Sequence, residues 1–245
     1  MAPAGGRQPV SEGSYYRVVA VRTVIFDWGG TLTPWHTIDH EALWHEVCVS
    51  HYSTDRAPEV ARAICAAERA AWQAIERSQV SATLTQVFER AQVTATDAIL
   101  ASYFEAWEPH TITDPEVAPL LRELRRRNIR TGVLSNTLWP RSAHERCLVR
   151  DQVRDLIDGT VYSSEIPWTK PHPGAFRAAM AAVGEDDPAC CVFVGDRPYD
   201  DVHGAKSIGM RAVLMQNSDV PPFDAAVPDA RISRLSELIG YLDRW

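Results

Sequence analysis

The run Val18-Val19-Ala20-Val21-Arg22-Thr23-Val24-Ile25-Phe26 is β-branched and nearly continuous, and it stops abruptly at Asp27-Trp28-Gly29-Gly30-Thr31. An apolar run without polar alternation predicts a strand buried on both faces, as in a parallel sheet, followed here by a glycine-rich loop. From residue 112 onward, short apolar runs recur between helical patterns. Strands are expected at 131–134, 160–163, 190–194 and 211–215, and helices at 115–127, 140–154, 174–183, 200–208 and 233–243. Such alternation predicts an α/β fold with a doubly wound parallel sheet. Residues 39–108 differ: Ala, Glu, Arg and Gln are frequent, and Ala61, Ile64, Cys65, Glu68, Ala71, Trp72 and Ile75 recur at helical spacing. About four helices and no strand are expected there. The organisation predicted is a core made of 17–33 and 112–245, an all-helical insert over 34–111 and a disordered tail over 1–16.

Composition narrows the function class. The 245 residues carry a formal net charge of −7, so no basic excess invites nucleic acid. The first 16 residues lack the apolar stretch of a signal peptide, and no run approaches the roughly 18 apolar residues of a membrane span. Five cysteines, Cys48, Cys65, Cys147, Cys190 and Cys191, show no metal-ligand spacing and favour free thiols in a reducing compartment. A cytoplasmic protein is expected, with no membrane partner; oligomeric state is not legible.

Ligands in doubly wound folds bind at the carboxyl ends of the strands. Four strand ends or following loops carry polar or reactive residues: Asp27, Ser135, Lys170 and Asp196. An Asp before glycines can serve as nucleophile or metal ligand, although a helix-capping loop Asp is about as common. Ser135 can donate to an anion. Lys170 is one of only two lysines, the other being Lys206, and Pro171 and Pro173 stiffen the chain after it. Asp196, Asp200 and Asp201 place three acids on one loop, a hard-oxygen set that suits Mg²⁺.

In this order the motifs resemble those of the haloacid dehalogenase-like superfamily, mainly Mg²⁺-dependent phosphohydrolases. They read Val24-Ile25-Phe26-Asp27-Trp28-Gly29-Gly30-Thr31-Leu32, Gly132-Val133-Leu134-Ser135-Asn136, Lys170-Pro171-His172-Pro173, and Val192-Phe193-Val194-Gly195-Asp196 through Asp201-Val202-His203-Gly204-Ala205. The resemblance spans about residues 20–216, and the insert matches the helical cap domain of the family's C1 class. It implies that Asp27 attacks phosphorus and forms an aspartyl-phosphate, with Ser135 and Lys170 as its catalytic partners. Mg²⁺ is expected to bridge Asp27, the carbonyl of Gly29 and Asp196, with Asp201 rather than Asp200 as the supporting acid. Gly30, Thr31, Asn136 and Trp139 are expected to contact a small phosphorylated substrate.

Gly29 departs from the family's phosphatase pattern, which places a second Asp two residues after the nucleophile. That Asp protonates the leaving group and then activates water, general acid–base work typically worth about 10²–10⁴ in rate. His36, Asp39 and His40 are candidate replacements, although hinge roles are commoner for such residues. A 2-haloacid dehalogenase also lacks the second Asp, but it needs no acidic fourth motif. A phosphonoacetaldehyde-type carbon–phosphorus hydrolase needs a Schiff-base lysine in the cap, and residues 33–112 contain none. A protein that binds phosphorylated ligands without turnover is the non-enzymatic alternative. Phosphatase ranks first.

Trp28, Trp35, Trp139 and Trp168 flank the motifs. They predict an aromatic-lined entrance for an apolar, sugar or aryl leaving group; the plain alternative is rings that fill space under the cap. His110, His144, His172 and His203 lack metal-ligand spacing, so loop or surface roles are expected.

Overall fold

The computed structural model describes residues 20–216, 220–225 and 227–245. The tail expected over 1–16, and the first two residues of the opening apolar run, lie outside them. Six strands form one parallel sheet: β1 (Thr23–Phe26), β2 (Arg130–Ser135), β3 (Gly159–Tyr162), β4 (Cys191–Gly195), β5 (Arg211–Met215) and β6 (Ala230–Ile232). Their order is β3-β2-β1-β4-β5-β6. The chain winds outward from β1 to β3, then returns to the other side of β1, which makes β1 and β4 the topological switch.

Side chains alternate across each strand, so one apolar run feeds two cores. Val24, Phe26, Val133, Val192 and Val194 pack on one face with α5 (Val117–Arg126) and α6 (Arg141–Arg150). Ile25, Leu134, Cys191 and Phe193 pack on the other with α7 (Pro173–Ala182). Both faces are covered, as the unbroken β-branched run predicted.

Four helices occupy the stretch between β1 and α5: α1 (His40–Val49), α2 (Ala57–Ser78), α3 (Leu84–Ala91) and α4 (Asp97–Trp107). α1, α3 and α4 begin with side-chain caps. Asp39 accepts from the Ala42 N–H, Thr83 and Gln86 form a capping box, and Thr96 accepts from the Ile99 N–H. No described helix is long and apolar enough to cross a membrane.

Three expectations change near the C-terminus. The helix expected at 200–208 is a π-helical turn, Pro198–His203, followed by the short α8 (Gly204–Ser207). The helix expected at 233–243 shrinks to α9 (Leu238–Leu242). β6 was not expected: it has three residues with exposed Arg231 at its centre, too short for a periodic signal.

Arg22 and Arg130, at the amino ends of β1 and β2, both grip Glu185 after α7, at 2.6 and 2.7 Å. The Arg22 hydrogen bond is the main reason the buried Glu185 carboxyl is held down at about 2. A depressed carboxylate stabilises the fold above its ordinary value of 4.5, and that contribution is lost as pH falls toward about 2. In thermal melts across that window, Glu185→Gln is expected to flatten the acid-side decline of the wild type. Equal declines would remove Glu185 from the account.

Candidate active site

Register brings the motif residues together. Phe26 pairs with Val194 on one side and Val133 on the other, so the residues just beyond the three strands share one edge. The Asp27 N–H donates to the Val194 carbonyl at 2.8 Å, prolonging the ladder to the nucleophile candidate itself. Oxygens of Asp27, Asp196 and Asp201 then lie within 4.8 Å of one another, all three residues buried. Asp201, rather than Asp200, joins this cluster.

Lys170 supplies the countercharge. Its Nζ lies 2.8 Å from Asp27 Oδ1 and 2.7 Å from Asp201 Oδ1, with the residue 3% exposed. Burial by itself would lower the Lys170 pKa, but Asp201 and Asp27 more than reverse this and hold it charged. Burial raises the Asp201 pKa; Lys170 opposes that shift, while Asp27 and Asp196 add to it. The second Asp201 oxygen accepts the Arg197 N–H at 2.8 Å. Asp201 is thus bound on both oxygens and suits a supporting role beside Asp27 and Asp196.

Two glycines permit this crowding. A Cβ on Gly30, which has φ +78°, would lie 2.5 Å from an Asp196 oxygen. A Cβ on Gly195 would collide with the Asp201 carboxylate. Gly29 differs: nothing lies within 4 Å of where its Cβ would be, and its φ lies outside the left-handed region.

A cavity of about 430 Å³ opens above the strand ends. Asp27, Gly29, Gly30, Ser135, Asn136, Trp139 and Lys170 line it; Asp196, Asp201 and Thr31 do not. Thr31 is buried and is not part of that lining. Asn136 has a use that sequence reasoning missed. Its side-chain oxygen accepts the Lys170 N–H at 2.8 Å and its amide donates to the Lys170 carbonyl at 2.9 Å. This two-point clamp sets the segment that carries the ammonium.

Aromatic rings form much of the wall. Trp28, Trp35 and Trp139 line the cavity as expected, joined by Trp72, Tyr103 and Trp107 from α2 and α4. Trp139 donates its indole N–H to the Tyr103 hydroxyl at 3.1 Å, joining the β2 loop to the helical insert. Trp168 departs from expectation: it stacks on His172 at 4.0 Å, outside this cavity, because backbone pairing with Val80 turns it away.

Of the acid/base candidates, His36 and His40 line the cavity, while Asp39 is committed to capping α1 outside it. His110, half-buried at the end of the turn after α4, lines it too, and so does His144, which is buried, contrary to the loop or surface role expected of it. His144 is 1% exposed, stacked on Tyr162 at 4.5 Å, and burial pushes its pKa down to about 3. It is a neutral part of the floor. Glu68 of α2, 6% exposed, also reaches the cavity. Its signal was present in the sequence as an acid inside an apolar helical stripe.

The profile of the haloacid dehalogenase-like hydrolases matches residues 21–209. A phosphoserine phosphatase from Thermus thermophilus is 30% identical over 234 residues, 95% of this chain and 87% of the relative. A phosphatase from Thermococcus onnurineus superposes with a TM-score of 0.66 at 22% identity, over 91% of this chain and 98% of the other. The L-2-haloacid dehalogenase of Xanthobacter autotrophicus superposes at 0.63 and 17%, over 91% and 98%. The conjunction of six-stranded core, motif order and family match makes this chain a member of the haloacid dehalogenase-like hydrolases.

Proposed function

We propose that this hydrolase is a Mg²⁺-dependent phosphatase acting on a small phosphorylated metabolite through an aspartyl-phosphate on Asp27. The observation that carries the reading is the buried Asp27–Asp196–Asp201 cluster beside Lys170, of which Asp27 and Lys170 line a ligand-sized cavity. A dehalogenase needs no acidic fourth motif, whereas three converging carboxylates with one ammonium form a donor set that suits a hard divalent cation. Asp27 and Asp196 would hold it, with the Gly29 carbonyl as a further donor and Asp201 in support. The bound cation would supply charge neutralisation at the phosphoryl oxygens.

The remaining steps belong to the chain's own groups. Asp27 attacks phosphorus and the ester P–O bond breaks, leaving phosphoryl on the carboxylate while the departing alkoxide takes a proton from water and leaves as the alcohol. Lys170, 2.8 Å from the nucleophile, orients it and attracts the phosphoryl oxygens, while Ser135 donates to one of them. Water then attacks phosphorus and frees Asp27. The four-helix insert acts as the cap that excludes bulk water and contacts the leaving group. The five buried free cysteines support a reducing, cytoplasmic setting.

The test is phosphate release from a panel of esters with Mg²⁺ and with EDTA. Release that disappears in EDTA and returns with Mg²⁺ is expected. Release indifferent to EDTA, or halide release from 2-haloacids in its place, would overturn the reading.

Gly29 sets a second expectation. The open space at its Cβ and its ordinary φ let Gly29→Asp fold without strain. An added carboxyl there is expected to raise kcat for alkyl phosphates at least about tenfold, within the roughly 10²–10⁴ that general acid–base catalysis contributes. The gain should be smaller for p-nitrophenyl phosphate, whose leaving group needs no proton. Equal gains for both would mean the carboxyl acts otherwise.

A further inference from the structure

We infer that the cap end of the cavity is a cation-binding subsite built on Glu68, and that the leaving group of the substrate carries a positive charge. The identity of that cation as a leaving group rests on the phosphatase reading; the subsite itself does not.

Glu68 sits in the middle of α2 among apolar neighbours and is 6% exposed. One oxygen, Oε2, accepts the Trp44 indole N–H at 2.9 Å and lies 3.5 Å from His40 Nδ1. The other, Oε1, takes no donor among the described residues, and Glu68 lines the cavity that holds Asp27 and Lys170. Lys170 is committed to Asp27 and Asp201 at the opposite floor. Arg197 lies over the Trp35 ring, 5.4 Å from its centroid, on the linker side. His40 is the charged or chargeable neighbour of Glu68, its side chain 47% exposed and its pKa raised mainly by the bond to Glu68.

The walls around this carboxylate are indole and phenol rings. Trp72 follows Glu68 by one helical turn on α2 and lines the cavity. Trp107 packs against His40 at 5.7 Å, and Tyr103 stacks on Trp44 at 4.2 Å. Glu68 thus offers the cavity a carboxylate oxygen that no described protein donor occupies. A substrate hydroxyl would satisfy the lone pair and leave the charge. An ammonium answers the charge as well, and indole faces attract cations that have been stripped of water. The polarity of the cavity also orients a bipolar substrate. Its phosphate goes to Lys170 at the strand ends, and its cation to Glu68, which would repel the phosphate. The substrate class is therefore the phosphate monoester of an amino or quaternary-ammonium alcohol.

Choline and its neutral isostere 3,3-dimethylbutanol test the subsite without any turnover. Tryptophan fluorescence titrations of the full chain should show choline binding at least about tenfold more tightly than the isostere, the scale on which aromatic faces beside a carboxylate favour a cation over a neutral group of the same shape. In Glu68→Gln that preference should collapse toward one. Trp72→Leu, which leaves the carboxylate and its Trp44 partner in place, should weaken choline more than the isostere. Equal binding of the two ligands to the wild type would overturn the proposal, as would a preference that survives Glu68→Gln. Binding of a neutral polyol in preference to choline would assign Glu68 to hydroxyl recognition instead. Choline preference with no hydrolysis of any phosphate ester would keep the subsite and refute the phosphatase reading.

Discussion

Asp27→Asn is expected to reduce phosphate release by roughly 10⁴-fold or more, the scale on which losing a covalent nucleophile registers. The amide has the shape of the carboxylate but cannot attack phosphorus. Its oxygen can still accept from Lys170, whose other contact, to Asp201, is untouched. The substitution also removes one of three buried like charges within 4.8 Å. The variant should therefore melt no lower than the wild type while losing turnover. That combination separates loss of chemistry from loss of fold. Single-turnover phosphate release and a thermal melt on the same preparation measure both. Activity within about 100-fold of wild type would refute Asp27 as the nucleophile.

Lys170→Met is expected to damage chemistry and fold together. Removing one preorganised cation from a transition-state site typically costs about 10²–10³ in kcat. The ammonium is also the near-contact countercharge of Asp27 and Asp201, which lie at 2.8 and 2.7 Å with Lys170 itself 3% exposed. Leaving a buried charge without its partner costs about 3–5 kcal/mol. For a chain of this size that corresponds to a fall in Tm of roughly 6–20 °C. The loss should be largest in EDTA and smaller with Mg²⁺, because a cation held by the same carboxylates offsets part of the repulsion. A Tm unchanged in EDTA would show that the carboxylates accommodate one another by taking up a proton.

The sheet was legible because a strand buried on both faces reads as a largely apolar run. β1, β4 and β5 announce themselves in that way, and β2 and β3 do so more weakly, with Thr131 and Thr160 among their buried residues. β6 does not, since it is held by pairing to β5 rather than by its own pattern. The helix expected at 200–208 is present, but its first part is π-helical, and Asp201 within it meets Lys170 and the Arg197 N–H. The floor residues were legible for a related reason. Each lies just beyond or near a strand end, and parallel register brings such positions to one edge.

The cavity wall was another matter. Trp72, Tyr103, Trp107 and Glu68 sit on α2 and α4, whose faces look alike in sequence whether they meet solvent, one another or the core. Trp168 illustrates the converse: two residues from Lys170 in the chain, it is turned out of the cavity by pairing with Val80. Periodicity records that a side chain is buried and says nothing of what it is buried against. By itself, the amino-acid sequence determined the parallel core, its insert and the carboxylates and lysine at the strand ends, because local pattern and register are short-range. Only the tertiary structure decided which helix faces close over that floor, because the contacts of α3 and α4 with the β2 loop, Leu84 to Leu138 and Tyr103 and Trp107 to Trp139, join residues distant in the chain.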